Sequence, residues 1–473
     1  MTTQAPARRV HFIGICGYAV SGAALLAKQL GYVVSGSDEF AYPPTTDTIT
    51  RAGIPWVNEH SAENIDRFGV PDLVVVGNQT RPHNPEWEEV RRRGLAHTSE
   101  AEFWAELTAT RLRLAVCGTH GKTTTAALLA LMLDRAGMSP GFRLGAGSRD
   151  FGVSARLGEG RPFVIEGDEY TTAPWDRRPK FLHAHPQAAC VTRLEHDHPD
   201  VYPTFADYRA PFVTLAETMP GDGLLALFAD EPACLELREH SSCRVLTYGE
   251  GPQAEWRIGA VDAAGREFEL SAPPPQGSVR VHLGVPGAHN RQNAVAALAL
   301  ALYAGAPLGP CLEACEAFQG ASRRFEVVAT VGGITVVDDY GHHPTEVEVT
   351  VRAARERYPK ARLLVVNVPH TYSRTREFLE DYGHVFAGAD LVVLGPIEAA
   401  RERHLPATVS SEDVAQRSRA AGIDTMVVGD ADEAVAAVVA EARPGDVVLC
   451  ISLGGFDQVA ERLVAALEAQ GGG

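Results

Sequence analysis

Short, nearly unbroken apolar runs alternate along the chain with stretches in which apolar residues recur every three to four positions. Residues 10–15 (VHFIGI) form one such run. A glycine-rich turn follows, and then SGAALLAKQLG, whose spacing is helical and which stops at Gly31. The runs YVVSGSD and DLVVVGN continue the alternation. A new cycle opens near residue 110 with LRLAVC, a loop, and a helix predicted over 123–135, followed by FVIE and AACVT. A third cycle, after FQGASRRFEVV, carries ITVVDD, RLLVVNV, DLVVLG, DTMVVG and DVVLCIS with helical stretches between them. Strands buried on both faces and separated by helices predict parallel, doubly wound α/β sheets.

The pattern changes after Pro220. LLALFAD, RVLTYG, EWRIGAVDAAGREFEL and VRVHLGV read as short strands, the third as a hairpin turning near Gly265, and NAVAALALALYAGA reads as a helix. Three α/β domains are therefore expected, at 1–110, 111–322 and 323–473, the middle one with an added small β-sheet. A length of 473 residues agrees with about 150 residues per domain.

Composition narrows the functional classes. The apolar share of 45% supports several packed cores, and 22% charged residues give no sign of global disorder. A net charge of −17 without a long basic run argues against nucleic acid or an anionic membrane as partner. The eight cysteines include no C-x-x-C pair and read as reduced, as in cytosol. The N-terminal MTTQAPARRVHFIGICG has no signal-peptide apolar segment, and no run is long enough to span a bilayer. A cytoplasmic protein, monomer or homodimer, is expected.

In open α/β sheets ligands bind beyond the carboxyl ends of the strands, and the unusual polar residues of this chain fall there. VCGTHGKTTT follows a strand and opens a helix, with Gly118, Thr119, His120, Gly121, Lys122, Thr123 and Thr124 in the connection. Two residues separate its glycines, where a standard P-loop has four. Even so, the glycines can turn amides toward an anion and the helix N-terminus adds positive potential. Lys122 can neutralise phosphate charge, and the Thr123 hydroxyl can hold Mg²⁺.

VIEGDEY brings Glu166, Asp168 and Glu169 to a strand end, and TRLEHDHPDVY brings Glu195, His196, Asp197 and His198 to another. Such a set suits Mg²⁺, with zinc the alternative that H-x-H and acids would permit; the adjacent phosphate loop favours magnesium. His289, Asn290 and Asn293 in GAHNRQNA can cap a helix or read a purine edge. Two further clusters, Asp338, Asp339, Tyr340, His342 and His343, and His370, Tyr372, Ser373, Arg374 and Arg376, leave strands and can hold carboxylate or phosphate. The N-terminal turn GICGYAVSG departs from G-x-G-x-x-G and allows either a nicotinamide site or another diphosphate.

GTHGKTTT, EGDEY, LEHDHPD, GAHNRQNA, RRFE, DDYGHHPTEV and PHTYSRT, in this order over nearly the whole chain, resemble the blocks of the Mur ligase family. The resemblance implies a Rossmann-like UDP-sugar domain, a P-loop ATPase domain and a Rossmann-like domain that receives an amino compound. It implies that ATP and Mg²⁺ are the cofactors. Lys122 would contact the ATP phosphates, and Arg324 would face ATP from the third domain; Thr123, Glu166 and His198 would hold the metal. His289, Asn290 and Asn293 would lie near adenine, and Asp339 would face ATP from the third domain. Tyr340, His342, His370 and Arg374 would position the acceptor. Gly14, Gly17, Ser37 and Asp38 would line the UDP-sugar site, so that the N-terminal turn cradles a diphosphate rather than NAD.

Two branches of the family are represented. GICG, AYPPTTDTI, NPEWEEV, FGVSARLG, DRRPKFLH and SLGGF look like the branch that recycles the tripeptide L-Ala-γ-D-Glu-meso-diaminopimelate. DDYGHHPTEV and PHTYSRTREF look like the L-alanine-adding branch. Both use UDP-N-acetylmuramate, and the third domain holds the acceptor. The resemblance therefore implies an ATP-dependent ligase joining L-alanine to the lactyl carboxylate through an acyl phosphate, with the tripeptide as alternative acceptor.

Overall fold

The computed structural model describes residues 7–39, 41, 45–199, 201–262, 265–453, 456 and 458–471. Tyr42, Pro43 and Pro44 of AYPPTTDTI, Asp200 of LEHDHPD, Ala263 and Ala264 of the predicted hairpin turn, and Gly454 and Gly455 of SLGGF lie outside the described residues.

The N-terminal sheet has five parallel strands, with Arg9–Ile13 at the centre between Val33–Ser37 and Leu73–Val76. The chain reverses its winding direction between Arg9–Ile13 and Leu73–Val76, so a crevice opens above their carboxyl ends, where the glycine turn lies. The strand core reads Val10, Phe12, Ile13, Val74, Val75 and Val76, all buried.

The central sheet has ten strands. Leu112–Cys117 lies between Pro162–Glu166 and Ala188–Val191, both parallel to it, with Val116 opposite Glu166 and Cys117 opposite Val191. This order brings the loops after all three strands to one edge. The helix Lys122–Arg135 is buried from Thr125 to Leu133. It is apolar all round because it packs between the sheet and the helices Ala288–Tyr303 and Leu308–Ala317. The predicted small sheet, Trp256–Val261, Glu267–Ser271 and Ser278–His282, is an antiparallel ribbon continuous with the main sheet. It attaches at Tyr248 opposite Trp256 and Gly249 opposite Arg257. Sequence patterning missed the hairpin Thr171–Ala173/Asp176–Pro179, whose strands are too short to show alternation.

The C-terminal sheet has six strands. Glu326–Val331 is antiparallel to Ile334–Asp339, and the other neighbours are parallel. Ile334–Asp339 and Leu363–Asn367 flank Val447–Ile451, with Asp339 and Asn367 both opposite Ile451. The two polar clusters predicted to leave strands thus leave from strand ends on either side of one neighbour.

Candidate active site

The phosphate loop is built around glycines that cannot be replaced. Gly118 has φ +122°, and a Cβ there would stand 2.5–2.9 Å from Thr192 and the Arg193 backbone. Gly121 has φ +79° and is the N-cap of helix Lys122–Arg135; a Cβ would lie 2.4 Å from Asn293 Oδ1. No side chain caps this helix, so its first-turn amides remain available to an anion. Thr119 is internal: its hydroxyl donates to Glu195 O and accepts from Glu195 N, both at 3.0 Å.

Lys122 Nζ donates to Gly118 O, Thr119 O and Glu169 Oε1 at 2.8, 2.9 and 3.0 Å. Burial pushes its pKa down, but Glu169, Glu166 and Asp168 outweigh that and raise it, so the ammonium stays charged. Thr123 Oγ1 donates to Glu166 Oε1 at 2.8 Å, and Gly145 N donates to the other oxygen at 2.6 Å. The sequence-predicted metal set is thus divided between two neighbouring groups. Thr123 pairs with Glu166, whereas His198 lies with Glu169, at 3.2 Å, and with Asp197. Sequence reasoning noted Glu169 and Asp197 as strand-end acids without assigning them a place; the fold brings Glu169 against His198, whose backbone is left-handed at φ +54°.

A cleft lies between this loop and the C-terminal sheet. His120, Gly121, Thr123, Thr124, His289, Asn290, Asn293, Arg324 and Asp339 all line it. The N-cap of helix Ala288–Tyr303 is Gly287, so His289, Asn290 and Asn293 sit inside the helix and the capping alternative falls away. Burial drives the His289 pKa down to about 4, leaving a neutral ring. Arg324 Nη1 donates to Glu346 Oε1 at 3.2 Å. Asp339 accepts at one oxygen from Gly341 N of its own turn and at the other from Phe325 N, just before the neighbouring antiparallel strand, at 2.8 Å each.

The predicted acceptor residues are brought together. The His342 and His370 rings are 5.4 Å apart, Tyr340 and His342 6.4 Å, and Arg374 Nη1 lies 2.8 Å from His370 Nδ1. Burial lowers the His342 pKa to about 3. Arg374 departs from expectation. It is fully buried, and its guanidinium is directed at Asp197 and at His198 Nδ1, 3.2 Å away, across the seam to the central sheet.

The N-terminal turn also departs from expectation. Gly14 N and Ile15 N donate to Ser37 O, Cys16 N to Asp38 Oδ2, and Gly17 N to Gly14 O. The turn's own amides are therefore consumed, and Ser37 and Asp38 support it from within. Gly17 is the N-cap of helix Tyr18–Gln29 and has no capping side chain, so the donors facing the crevice are those of the helix's first turn. Ser37 Oγ donates to Glu86 Oε2 at 2.6 Å, within a buried group of His11, His60 and Asn64 that the sequence did not reveal.

A phosphate loop facing the C-terminal α/β unit, with a carboxylate–histidine group on one side and a His/Tyr cluster on the other, is the arrangement of a ligase that activates a carboxylate with phosphate. The chain belongs to the Mur ligase family: residues 9–111 match the Mur ligase family catalytic domain, 116–301 the Mur ligase middle domain, and 323–454 the Mur ligase glutamate ligase domain. It is 36% identical to a UDP-N-acetylmuramate–L-alanine ligase of Sorangium cellulosum, over 98% of this chain and 97% of that one. The solved UDP-N-acetylmuramate–alanine ligase of Thermotoga maritima shares the fold, with TM-score 0.80 at 24% identity over 98% of this chain and 99% of that one. A murein peptide ligase of Psychrobacter arcticus aligns with TM-score 0.75 at 28% identity, over 98% and 99% of the two chains.

Proposed function

We propose that this ligase joins L-alanine to the lactyl carboxylate of UDP-N-acetylmuramate, with ATP converting that carboxylate to an acyl phosphate, as a step of peptidoglycan biosynthesis. Full-length relatives of the L-alanine-adding type support the acceptor. The observation that carries the reading is the convergence at one seam of Lys122, His198 and the Tyr340–His342–His370 cluster, linked through Glu169 and Arg374.

Thr123 and Glu166 would hold a Mg²⁺ ion, their hydroxyl and carboxylate oxygens suiting a hard divalent cation, with His198 reaching it from the neighbouring group that it forms with Glu169 and Asp197. When bound, the ion offsets phosphate charge during phosphoryl transfer. Lys122 would exchange Glu169 for a phosphate oxygen, with the first-turn amides of its helix beside it. Arg324 would face the nucleotide from the opposite wall, and His289, Asn290 and Asn293 would border the base. His342, neutral at ordinary pH, can accept a hydrogen bond from the incoming amine. Closure of the seam keeps water from the acyl phosphate. The UDP diphosphate would rest on the first turn of helix Tyr18–Gln29. Domain roles follow: 1–110 for the UDP-sugar, 111–322 for ATP and 323–473 for the acceptor. The eight cysteines are all unpaired and buried, which fits a reducing cytoplasm.

The test is ADP release with UDP-N-acetylmuramate and, in turn, L-alanine, L-serine, glycine and the tripeptide. L-alanine should give the highest kcat/KM. Faster turnover with the tripeptide would overturn the acceptor, and no acceptor-dependent ADP would overturn the ligase.

A further inference from the structure

Glu346 occupies the third position of helix Pro344–Arg357, in a capping box with His343. Its Oε2 accepts from His342 N at 2.9 Å and His343 N at 3.3 Å. That much is local and typical of helix starts. The capping acids Asp207 and Asp413 do the same work at exposed positions and bond only their own cap residues.

Glu346 differs in what its other oxygen does. Oε1 is 3.2 Å from Arg324 Nη1 and 3.4 Å from His120 Nδ1, and the residue is buried between the two sheets. His120 belongs to the phosphate loop, and its Nε2 contacts Glu195 Oε1. Its Nδ1 faces Glu346 at ion-pair distance, without hydrogen-bond alignment. The His120 ring therefore stands between a carboxylate of the central sheet and one of the C-terminal sheet. Arg324 makes no other side-chain hydrogen bond among the described residues, so Nη1 on Glu346 fixes one edge of the guanidinium while it lines the cleft.

We propose that Glu346 is a positioning residue that couples the nucleotide and acceptor sites. One oxygen holds the backbone of the His342 loop; the other sets Arg324 and docks on His120 of the phosphate loop. The inference rests on the ligase reading only for the roles of Arg324 and His342. The local electrostatics agree with it. Burial opposes the Glu346 carboxylate, but Arg324 and the charged His120 hold its pKa well below the usual range. Glu195 and Glu346 raise that of His120, against burial, to about 9.

The experiment uses Glu346→Gln, His120→Gln and the double variant in the full chain, with Glu346→Ala as the control that removes the cap as well. Gln retains an acceptor for the capping box. Glu346→Gln keeps the cap and loses only the charge, so it should melt closer to wild type than Glu346→Ala, which loses both. Glu346→Gln should bind a fluorescent ATP analogue roughly 5- to 10-fold more weakly and lose on the order of 10-fold in kcat. Adding His120→Gln should change little more, because both substitutions break one bridge. Wild-type nucleotide affinity and kcat in Glu346→Gln, or effects of the two substitutions that simply multiply, would overturn the proposal. The affinity comparison needs no acceptor. A wild type that binds the analogue but releases no ADP with any acceptor would sink the ligase reading and leave that comparison to decide the role of Glu346.

Discussion

Arg374 Nε and Nη2 both donate to one oxygen of Asp197, at 2.9 and 2.7 Å, across the seam between the C-terminal and central sheets. The two residues are 1% and 3% exposed. Burial alone would raise the Asp197 pKa; Arg374 and the neighbouring histidines hold it well below the usual carboxylate range. Removing one member of a buried pair strands the other charge, at a cost of about 3–5 kcal/mol. Asp197→Ala should open the seam, seen as a larger radius of gyration in solution scattering, and reduce turnover by at least ~100-fold. Arg374→Lys alone should lose turnover as well, because a point charge cannot reproduce the planar fork that meets Asp197 and His370 together.

Lys122 is the cation nearest the helix N-terminus of the phosphate loop and already has Glu169 as a counter-charge. Lys122→Ala should lower kcat by about 10²–10³ while circular dichroism stays unchanged, by analogy with the loss of one preorganised donor. Glu169→Gln should tighten ATP binding several-fold, because Lys122 no longer has to leave a carboxylate, yet slow turnover by disturbing His198. Isothermal titration and steady-state rates check the two halves. Near-normal activity in Lys122→Ala would remove this residue from the mechanism.

Trp175, on the Thr171–Ala173/Asp176–Pro179 hairpin, stacks on Trp87 of the N-terminal unit with ring centroids 4.6 Å apart and an interplanar angle of 30°. His97 meets both rings edge-on. Such pairs contribute about 0.5–1.5 kcal/mol beyond area burial. Trp175→Ala should loosen the N-terminal unit against the central one and raise KM for UDP-N-acetylmuramate by about 2- to 10-fold. KM for ATP should hardly change. A shift of the Trp87 emission toward the red would report the loss directly.

Glu86 should give the N-terminal unit an acid-sensitive component. Burial would raise its pKa, but hydrogen bonds from His11, His60, Ser37 and Asn64 bring it down from 4.5 to about 2. The folded state therefore favours the carboxylate. This contribution is fully present above about pH 4.5 and is lost as pH falls toward 2. Its size is on the order of 3 kcal/mol. Urea unfolding followed through Trp56 and Trp87 at stepped pH should show a steeper acid limb in the native protein than in Glu86→Gln. Identical limbs would refute it.

Most of the fold was legible because buried parallel strands are apolar on both faces; LRLAVC and ITVVDD match Leu112–Cys117 and Ile334–Asp339 residue for residue. Short edge strands such as Thr171–Ala173 carry no such signature. The candidate site was legible where chemistry and position coincide: Gly121, Lys122 and Thr123 stand at a helix start, and Asn290 and Asn293 share a wall with them. What stayed hidden is pairing between distant segments. Nothing in LEHDHPD or PHTYSRT indicates that Asp197 will neutralise Arg374, and nothing in HHPTEV distinguishes Glu346 from an ordinary capping acid. Both depend on how two sheets dock, which no local pattern encodes.

The cleft proposed for the nucleotide has one wall from the phosphate loop and the Ala288–Tyr303 helix and the other from Arg324, Asp339 and Glu346. Under that reading product release should require the walls to separate, and that separation moves a large body through solvent. The rate-limiting event of each cycle should then feel the friction of the medium. Turnover at saturating substrate should fall in proportion as sucrose thickens the buffer, while a variant with a broken seam, already slow for chemical reasons, should be indifferent to it.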